Sequence, residues 1–328
     1  MTTPKLIALD WGSTSARAYL MADENEIVGQ RTAPLGVLNV KDGDFEGALL
    51  ELCGPWLLVR KEMPIVASGM IGSRQGWSEA PYVKCPAGLS ELSAHLLPVE
   101  IAKRRKLWIV PGVSMIADDG TPDVMRGEET EIIGALTAAE RERGSALFVL
   151  PGTHSKWVRV EKGRIVWIRT YMTGELYSVL TEHSILGKLM VKADPAPADD
   201  DSVDESAFQR GVNRAHQDPF GLASLLFSAR TLPLFDKLRP DAIADYLSGL
   251  LIGHEIYTAE RALNALRSQY DGVKLVGDLS LVRNYQRALT LLGWSSTMAP
   301  AYPAAAGIWR IADRSGLLGL RVETMSSA

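Results

Sequence analysis

The sequence has 328 residues, 46% of them hydrophobic and 23% charged, with 35 Lys and Arg against 39 Asp and Glu for a net charge of −4. That is a globular composition, long enough for two modest domains, and its charge gives no general attraction for nucleic acid or an anionic membrane surface. Two cysteines, Cys53 and Cys85, with no CxxC and no His at ligand spacing, argue against a disulfide or zinc framework.

In chain order, "KLIALD" reads as a buried strand and "SARAYLM" as a second, with the period-two character of an extended segment. The polar "ADENE" makes a turn, and "EIVGQRT" is a third strand. A Walker-type phosphate loop would need a helix after its glycines and a Gly-Lys-Ser/Thr ending, and neither is here. "FEGALLELCGPWLLVRK" and "EETEIIGALTAAERER" read as helices, the second closed by Gly144. Between them, the basic run Lys103 to Lys106 is expected to be a solvated loop or helix end before the strand "LWIV". The apolar runs "SALFVL" and "YLSGLLIG" fall short of the roughly 18 to 20 residues of a membrane span. The first residues lack a basic stretch followed by an apolar segment, so no export signal is expected and the cytoplasm is the expected location.

Some 140 residues on, the opening unit repeats. The strand "ALFVL" meets Pro151-Gly152-Thr153-His154-Ser155, then "KWVRV", a turn "EKGR", and "IVWIRTYM". Gly12 aligns with Gly152, Ser13 with Thr153 and Ser15 with Ser155, while Leu150 stands where the first copy has Asp10. Helices follow in "ELYSVLTEHSILGKLMV", "DAIADYLSGLLIGHEIYTAERALNALRSQ" and "LVRNYQRALTLLG". Strands followed by helices, twice over, indicate an α/β protein of two related domains. The expected boundaries are 1–143 and 144–307, with 308–328, the end of a last helix in "AAAGIWRIADRSGLL", packing back onto the first domain. The Pro-rich acidic stretch 193–206 reads as an exposed loop.

Three loops carry chemistry suited to phosphoryl transfer. After the first strand, Gly12 and the amides of Ser13 and Thr14 are placed to cradle phosphate oxygens, and Asp10 to hold a hydrated Mg2+, which needs only one or two carboxylates. Arg17 would add positive charge, or strand alternation would turn it to solvent. Gly152, Thr153, His154 and Ser155 offer a matching donor set. In the third loop a strand ends at Gly277, and Asp278 and Ser280, the latter a candidate N-cap, introduce an amphipathic helix against which a nucleotide would lie.

Together these loops resemble the sugar kinase, actin and heat-shock chaperone ATPase superfamily, with two phosphate motifs and an adenosine motif on a duplicated fold. The resemblance implies a ribonuclease H-like (actin-like ATPase) fold in each domain, mixed sheets flanked by helices, an interdomain cleft, and use of ATP with Mg2+. Gly127-Glu128 in "PDVMRGEETEIIGAL" resembles the Gly-Asp-Gln segment of glycerol and pentulose kinases, which implies Glu128 as the base; Glu129, Asp123 and Asp10 stay open as alternatives. Residues 67–89 form a long loop of no helical period, in which Arg74 suits a carboxylate and Gln75, Trp77 and Tyr82 suit hydroxyls and a ring face. Thr173, Glu175 and Tyr177 are a second acceptor candidate.

"GMIGSRQGWSEAPYVKCPA", "PGTHSKWV", "YMTGELYSVLTEHSILG" and "DYLSGLLIGHEI" narrow the likeness: they resemble the 2-dehydro-3-deoxygalactonokinase family along nearly the whole chain. That implies phosphorylation of the 6-hydroxyl of 2-dehydro-3-deoxy-D-galactonate in galactonate catabolism, a sugar-acid substrate as the only partner class, with a homodimer left open. The alternatives are a kinase for another sugar or sugar acid, and a non-kinase ATPase of the same fold.

Overall fold

The computed structural model describes residues 2–59, 62–101, 105–191, 205–217, 221–263, 270 and 272–319. The chain divides into two compact units: Met1–Ser145, Arg159–Ile168 and Pro300–Ala328 make unit 1, and Ala146–Val158 with Arg169–Ala299 make unit 2.

Unit 1 opens with the meander β1 (Leu6–Trp11), β2 (Ala16–Met21) and β3 (Ile27–Ala33), followed by α1 (Phe45–Val59) and β4 (Ile65–Gly69). Then come β5 (Tyr82–Lys84), β6 (Ala87–Gly88), α2 (Leu89–Ala94), β7 (Leu97–Ile101), β8 (Arg105–Ile109), β9 (Gly112–Ile116), β10 (Pro122–Met125), α3 (Glu128–Ala135) and α4 (Ala138–Glu142). The main sheet has the order β3-β2-β1-β4-β8-β7, and a smaller one the order β10-β9-β5. β1 is central, antiparallel to β2 and parallel to β4, and five of its six residues are buried, which is why it reads as apolar except at Asp10. Ile7, Leu9 and Trp11 join Leu49 and Leu52 of α1, Ile65 of β4 and Ile109 of β8 in one core. Each such side chain contributes about 1.5–3 kcal/mol on burial.

The second large sheet starts with β11 (Ser145–Leu150), β12 (Ser155–Glu161) and β13 (Arg164–Tyr171), of which Arg159–Ile168 belongs to unit 1, and the rest of unit 2 is α5 (Thr173–His183), α6 (Glu205–Gln217), α7 (Leu222–Leu234), α8 (Ile243–Leu263), β14 (Val273–Leu275), α9 (Leu279–Leu291) and β15 (Ser296–Met298). Its strands run β13-β12-β11-β14-β15, the same order as β3-β2-β1-β4-β8 in unit 1, so the duplicated mixed-sheet α/β fold expected from the sequence is present. β4 is parallel to β1 and β8 to β4, just as β14 is parallel to β11 and β15 to β14. α10 (Pro303–Arg314) belongs to unit 1, where it packs on α3, α2 and β1.

Four expectations are corrected by the described residues. The helix expected through "EETEIIGALTAAERER" is two helices, because Thr137 starts a capping box with Glu140 and breaks the run. α6 and α7 were not anticipated; α6 begins inside the end of the presumed acidic loop and buries a helical stripe of Ala207, Phe208, Val212 and Ala215. α5 stops at His183, short of the full apolar stretch. The cap of α9 is Asp278, whose carboxylate accepts from the Ser280 amide at 3.0 Å and the Ser280 hydroxyl at 2.6 Å, so Ser280 is the capped residue. Residues 103 and 104 of the basic run, 193–204 of the acidic stretch, 264–269 of the long helix and 320–328 lie outside the described residues.

Candidate functional site

The first turn lies between β1 and β2. Gly12 closes it by donating its amide to the Ser15 carbonyl at 2.9 Å. The following segment holds it from outside: the amides of Val37 and Leu38 donate to the carbonyls of Gly12 and Ser13, and the Asn39 side chain donates to Thr14 O at 2.8 Å. Gly36 lies so close that a Cβ would collide with the backbone of Ser13 and Thr14. With the turn's carbonyls thus engaged, the amides of Ser13 and Thr14 have no acceptor among the described residues. Ser13 is half-buried and Thr14 exposed.

Asp10, at the end of β1, has Arg17 opposite on β2 and Ser68 opposite on β4. Arg17 Nη1 donates to Asp10 Oδ2 at 3.2 Å, so the cation is turned toward the strand-end acid although half of its side chain stays exposed. Burial pushes the Asp10 carboxyl above its usual value, and the Arg17 charge and hydrogen bond oppose the rise.

α3 brings a further acid group to this place. Its Thr130 hydroxyl and the Ser68 hydroxyl lie 2.7 Å apart, pinning the helix to β4 beside Asp10, and its other side is backed by α10. Glu128, the proposed base, is half-buried and accepts from the Arg126 amide at 2.9 Å. Glu129 points inward, fully buried, and accepts from the Gly127 amide at 2.7 Å and the Thr130 hydroxyl at 3.0 Å. Burial first, and the Glu128 charge second, push its carboxyl up to about 8. Glu131 is raised well above the usual carboxylate range, by burial and by the charges of Asp10, Glu128 and Glu129. Glu131 went unnoticed in the sequence, although it follows Glu128 at the i, i+3 spacing that shares a helix face. Asp123 lies on β10 and accepts from the Val124 amide. Among the described residues no group of three or more His, Cys, Asp or Glu side chains is arranged to hold a metal.

The presumed acceptor loop sits partly otherwise than expected. Arg74 is 86% exposed and donates to Glu79 Oε1 at 3.0 Å, so its charge is already partnered at the surface. Trp77 stacks on Phe45 with centroids 6.0 Å apart and closes the edge of the core, which takes that ring face away from a sugar. Gln75 and Tyr82 are exposed, and the Arg126 guanidinium lies 4.3 Å over the Tyr82 ring.

In unit 2 the second turn is built differently. Gly152, Thr153 and His154 are open to solvent or half-open, but Ser155 is fully buried. Its hydroxyl donates to Glu255 Oε1 at 2.7 Å, so it is not an open phosphate donor, which corrects the side-chain role expected for it. Glu255, on α8, also accepts from Trp157 Nε1 at 2.8 Å, from the Tyr285 hydroxyl of α9 at 2.6 Å, and from the Thr173 hydroxyl. Burial raises the Glu255 carboxyl and these hydrogen bonds oppose it. Glu255 was legible as a lone acid in the long apolar run "YLSGLLIGHEI". The N-terminus of α5 lies on the turn: the Glu175 amide donates to Thr153 O at 3.0 Å, and a Cβ on Gly174 would collide with the Gly152 carbonyl. His154 Nε2 and Glu175 Oε2 meet at 2.6 Å, joining a nucleotide candidate to an acceptor candidate. Tyr177 is half-buried and packs with the helical core. Gly277 stands beside this turn, since a Cβ there would lie 3.2 Å from the Pro151 carbonyl, and Asp278 and Ser280 are exposed at the start of α9.

Unit 1 thus holds the first turn, the α3 acids and the acceptor loop, and unit 2 the second and third turns. The family profile of 2-keto-3-deoxy-galactonokinase matches residues 10–311. The 2-dehydro-3-deoxygalactonokinase of Escherichia coli (strain K12) is 34% identical over 311 residues, covering 94% of this chain and 98% of that protein. A probable 2-dehydro-3-deoxygalactonokinase of Rhizobium meliloti (strain 1021) is 36% identical over 290 residues, covering 87% and 89%. A crystal structure from Sinorhizobium meliloti, provisionally named as the same kinase, superposes with a TM-score of 0.79 at 33% identity, covering 94% of this chain and 98% of that one.

Proposed function

The chain belongs to the 2-keto-3-deoxy-galactonokinase family, and on that premise we propose that it transfers the γ-phosphoryl group of ATP to the 6-hydroxyl of 2-dehydro-3-deoxy-D-galactonate. The observation that carries the reading is the docking of α3, which bears Glu128 and Glu131, on β4 beside Asp10 in a chain that aligns over 94% of its length with a curated kinase of this name. Glu128 takes the proton of the acceptor's terminal hydroxyl, whose oxygen attacks the γ-phosphorus. The bond from that phosphorus to the bridging oxygen breaks, and ADP leaves with the electron pair. The free amides of Ser13 and Thr14 receive phosphate oxygens, with Arg17 adding charge. The backbone of Gly152 to Ser155 and the Thr153 hydroxyl offer a second donor set, and Gly277 to Ser280 the nucleoside platform. Asp10, half-buried with Glu131 beside it, suits Mg2+, which keeps most of its waters and takes one or two carboxylates. When bound, Mg2+ neutralises developing phosphate charge. A cytoplasmic location, where ATP is supplied, belongs to this reading; among the described residues no helix is long and apolar enough to cross a membrane.

The test is coupled ADP release with Mg-ATP against 2-dehydro-3-deoxygalactonate, its gluconate epimer, glycerol, and common pentuloses and hexoses. A strong preference for the first is expected. Activity with neutral sugars alone would discard the sugar-acid assignment, and acceptor-independent hydrolysis would discard the kinase.

A further inference from the structure

Arg126, immediately before Gly127 and Glu128, is the side chain in unit 1 whose state the fold alone explains least. It is 9% exposed, yet its Nε and Nη1 atoms are buried with no hydrogen-bond partner among the described residues. Only Nη2 is engaged, donating to the Ala80 carbonyl at 2.8 Å. A guanidinium is charged at any working pH and carries five donors, so burial with most of them unused is disfavoured unless an anion takes them.

The surroundings fix where that anion comes from. The guanidinium plane is held 4.3 Å over the Tyr82 ring. Gly72 keeps the space beside Nη1 clear, since a Cβ there would stand 2.9 Å from it. Gly72, Ala80 and Tyr82 all belong to the loop expected to receive the acceptor, and the Arg126 amide donates to Glu128, the proposed base. One short segment therefore presents a buried cation with two unpaired nitrogens and the proposed carboxylate base two residues apart. Arg74 offers the opposite: a cation almost wholly in solvent and already paired with Glu79.

We propose that Arg126, rather than Arg74, receives the carboxylate of the acceptor and so sets the preference for a sugar acid over a neutral sugar. This rests on the kinase reading above. With the carboxyl end held by Arg126 and the base two residues along at the start of α3, the substrate is fixed at both ends. An uncharged acceptor would leave the cation buried and unpaired, which is how a site built around a charge rejects its isostere.

The experiment compares kcat/KM for 2-dehydro-3-deoxygalactonate and for its neutral C1 amide in the wild type, Arg126→Met, Arg126→Lys and Arg74→Ala, with KM for ATP and the thermal midpoint of each. Wild-type enzyme is expected to prefer the acid. Arg126→Met is expected to cut kcat/KM for the acid about 30-fold or more without lowering that for the amide and with the ATP constant nearly unchanged, so that the preference collapses. Arg126→Lys, which keeps the charge if the Met variant does not fold, is expected to retain part of the preference. Arg74→Ala is expected to retain all of it. Equal losses on acid and amide in the Arg126 variants, as a purely structural staple would give, overturn the assignment, as does loss of preference in Arg74→Ala. A wild type that phosphorylates neither compound overturns the kinase reading instead, a result distinguishable from the others.

Discussion

The two duplicated turns join corresponding strands of the two large sheets and differ in where their acid sits. Each is pressed by a glycine that tolerates no side chain, Gly36 on Ser13 and Thr14, Gly174 on Gly152 and Thr153. In the first copy the acid, Asp10, comes from the strand end itself and stays half-buried beside Arg17 and the α3 acids. In the second copy that position is Leu150, and the acid arrives from α8 as Glu255, only 2% exposed, drawing Ser155, Trp157, Thr173 and Tyr285 around it. An acid left open to a ligand is available for chemistry. One saturated by neutral donors is available only for architecture. The same strand order thus carries a half-buried acid beside the first turn and a buried, hydrogen-bonded acid beside the second.

The comparison breaks most visibly at Glu128. Glu128→Gln is expected to lower kcat by about 100- to 10,000-fold while the Kd for ATP, measured by calorimetry, barely moves; retained turnover would take the base role from it. Asp10→Asn should cut turnover by about 100-fold with little change in thermal midpoint, because a half-exposed pair such as Asp10–Arg17 contributes only about 0–1 kcal/mol. Glu255→Ala should do the reverse in chemical denaturation, costing about 3 kcal/mol or more by stranding buried donors, with Ser155→Ala costing about 1 kcal/mol. If Glu255→Ala leaves stability intact while abolishing turnover, the division of roles between the turns is wrong.

A smaller effect sharpens the contrast within unit 1. Glu129, buried and titrating at about 8, holds its proton in the folded state where the unfolded chain has already lost it. Its contribution to stability is full below the ordinary carboxylate value of 4.5 and is lost progressively as pH rises toward 8. Glu129→Gln should therefore flatten that decline, and urea midpoints taken across the interval would read it; an unaltered slope would mean Glu129 is ionised in the fold.

Much of this was legible because the signals were local. The strand Leu6–Trp11 is buried on both faces over Leu6–Leu9 and so shows as an apolar run that ends at Asp10, and the repeat at Ser145–Tyr171 follows from pattern and turn residues alone. What escaped depended on partners far apart in sequence. The inward turn of Ser155 is set by Glu255, a hundred residues on, and Trp77 reads as a free ring until Phe45 is seen stacked on it. Arg74 reads as the anion group because it lies in a polar loop, and neither its pairing with Glu79 nor the burial of Arg126 has a local signal in the sequence. The cap of α9 failed for a subtler reason, since Asp278 and Ser280 are both good caps and only geometry separates them.

The most direct test of the account is to incubate the protein with Mg-ATP and 2-dehydro-3-deoxygalactonate and locate the new phosphate by 13C and 31P NMR. Stoichiometric ADP with phosphorus coupling at C6 is the predicted result; ADP without a phosphorylated sugar acid, or phosphate at any other carbon, would contradict it.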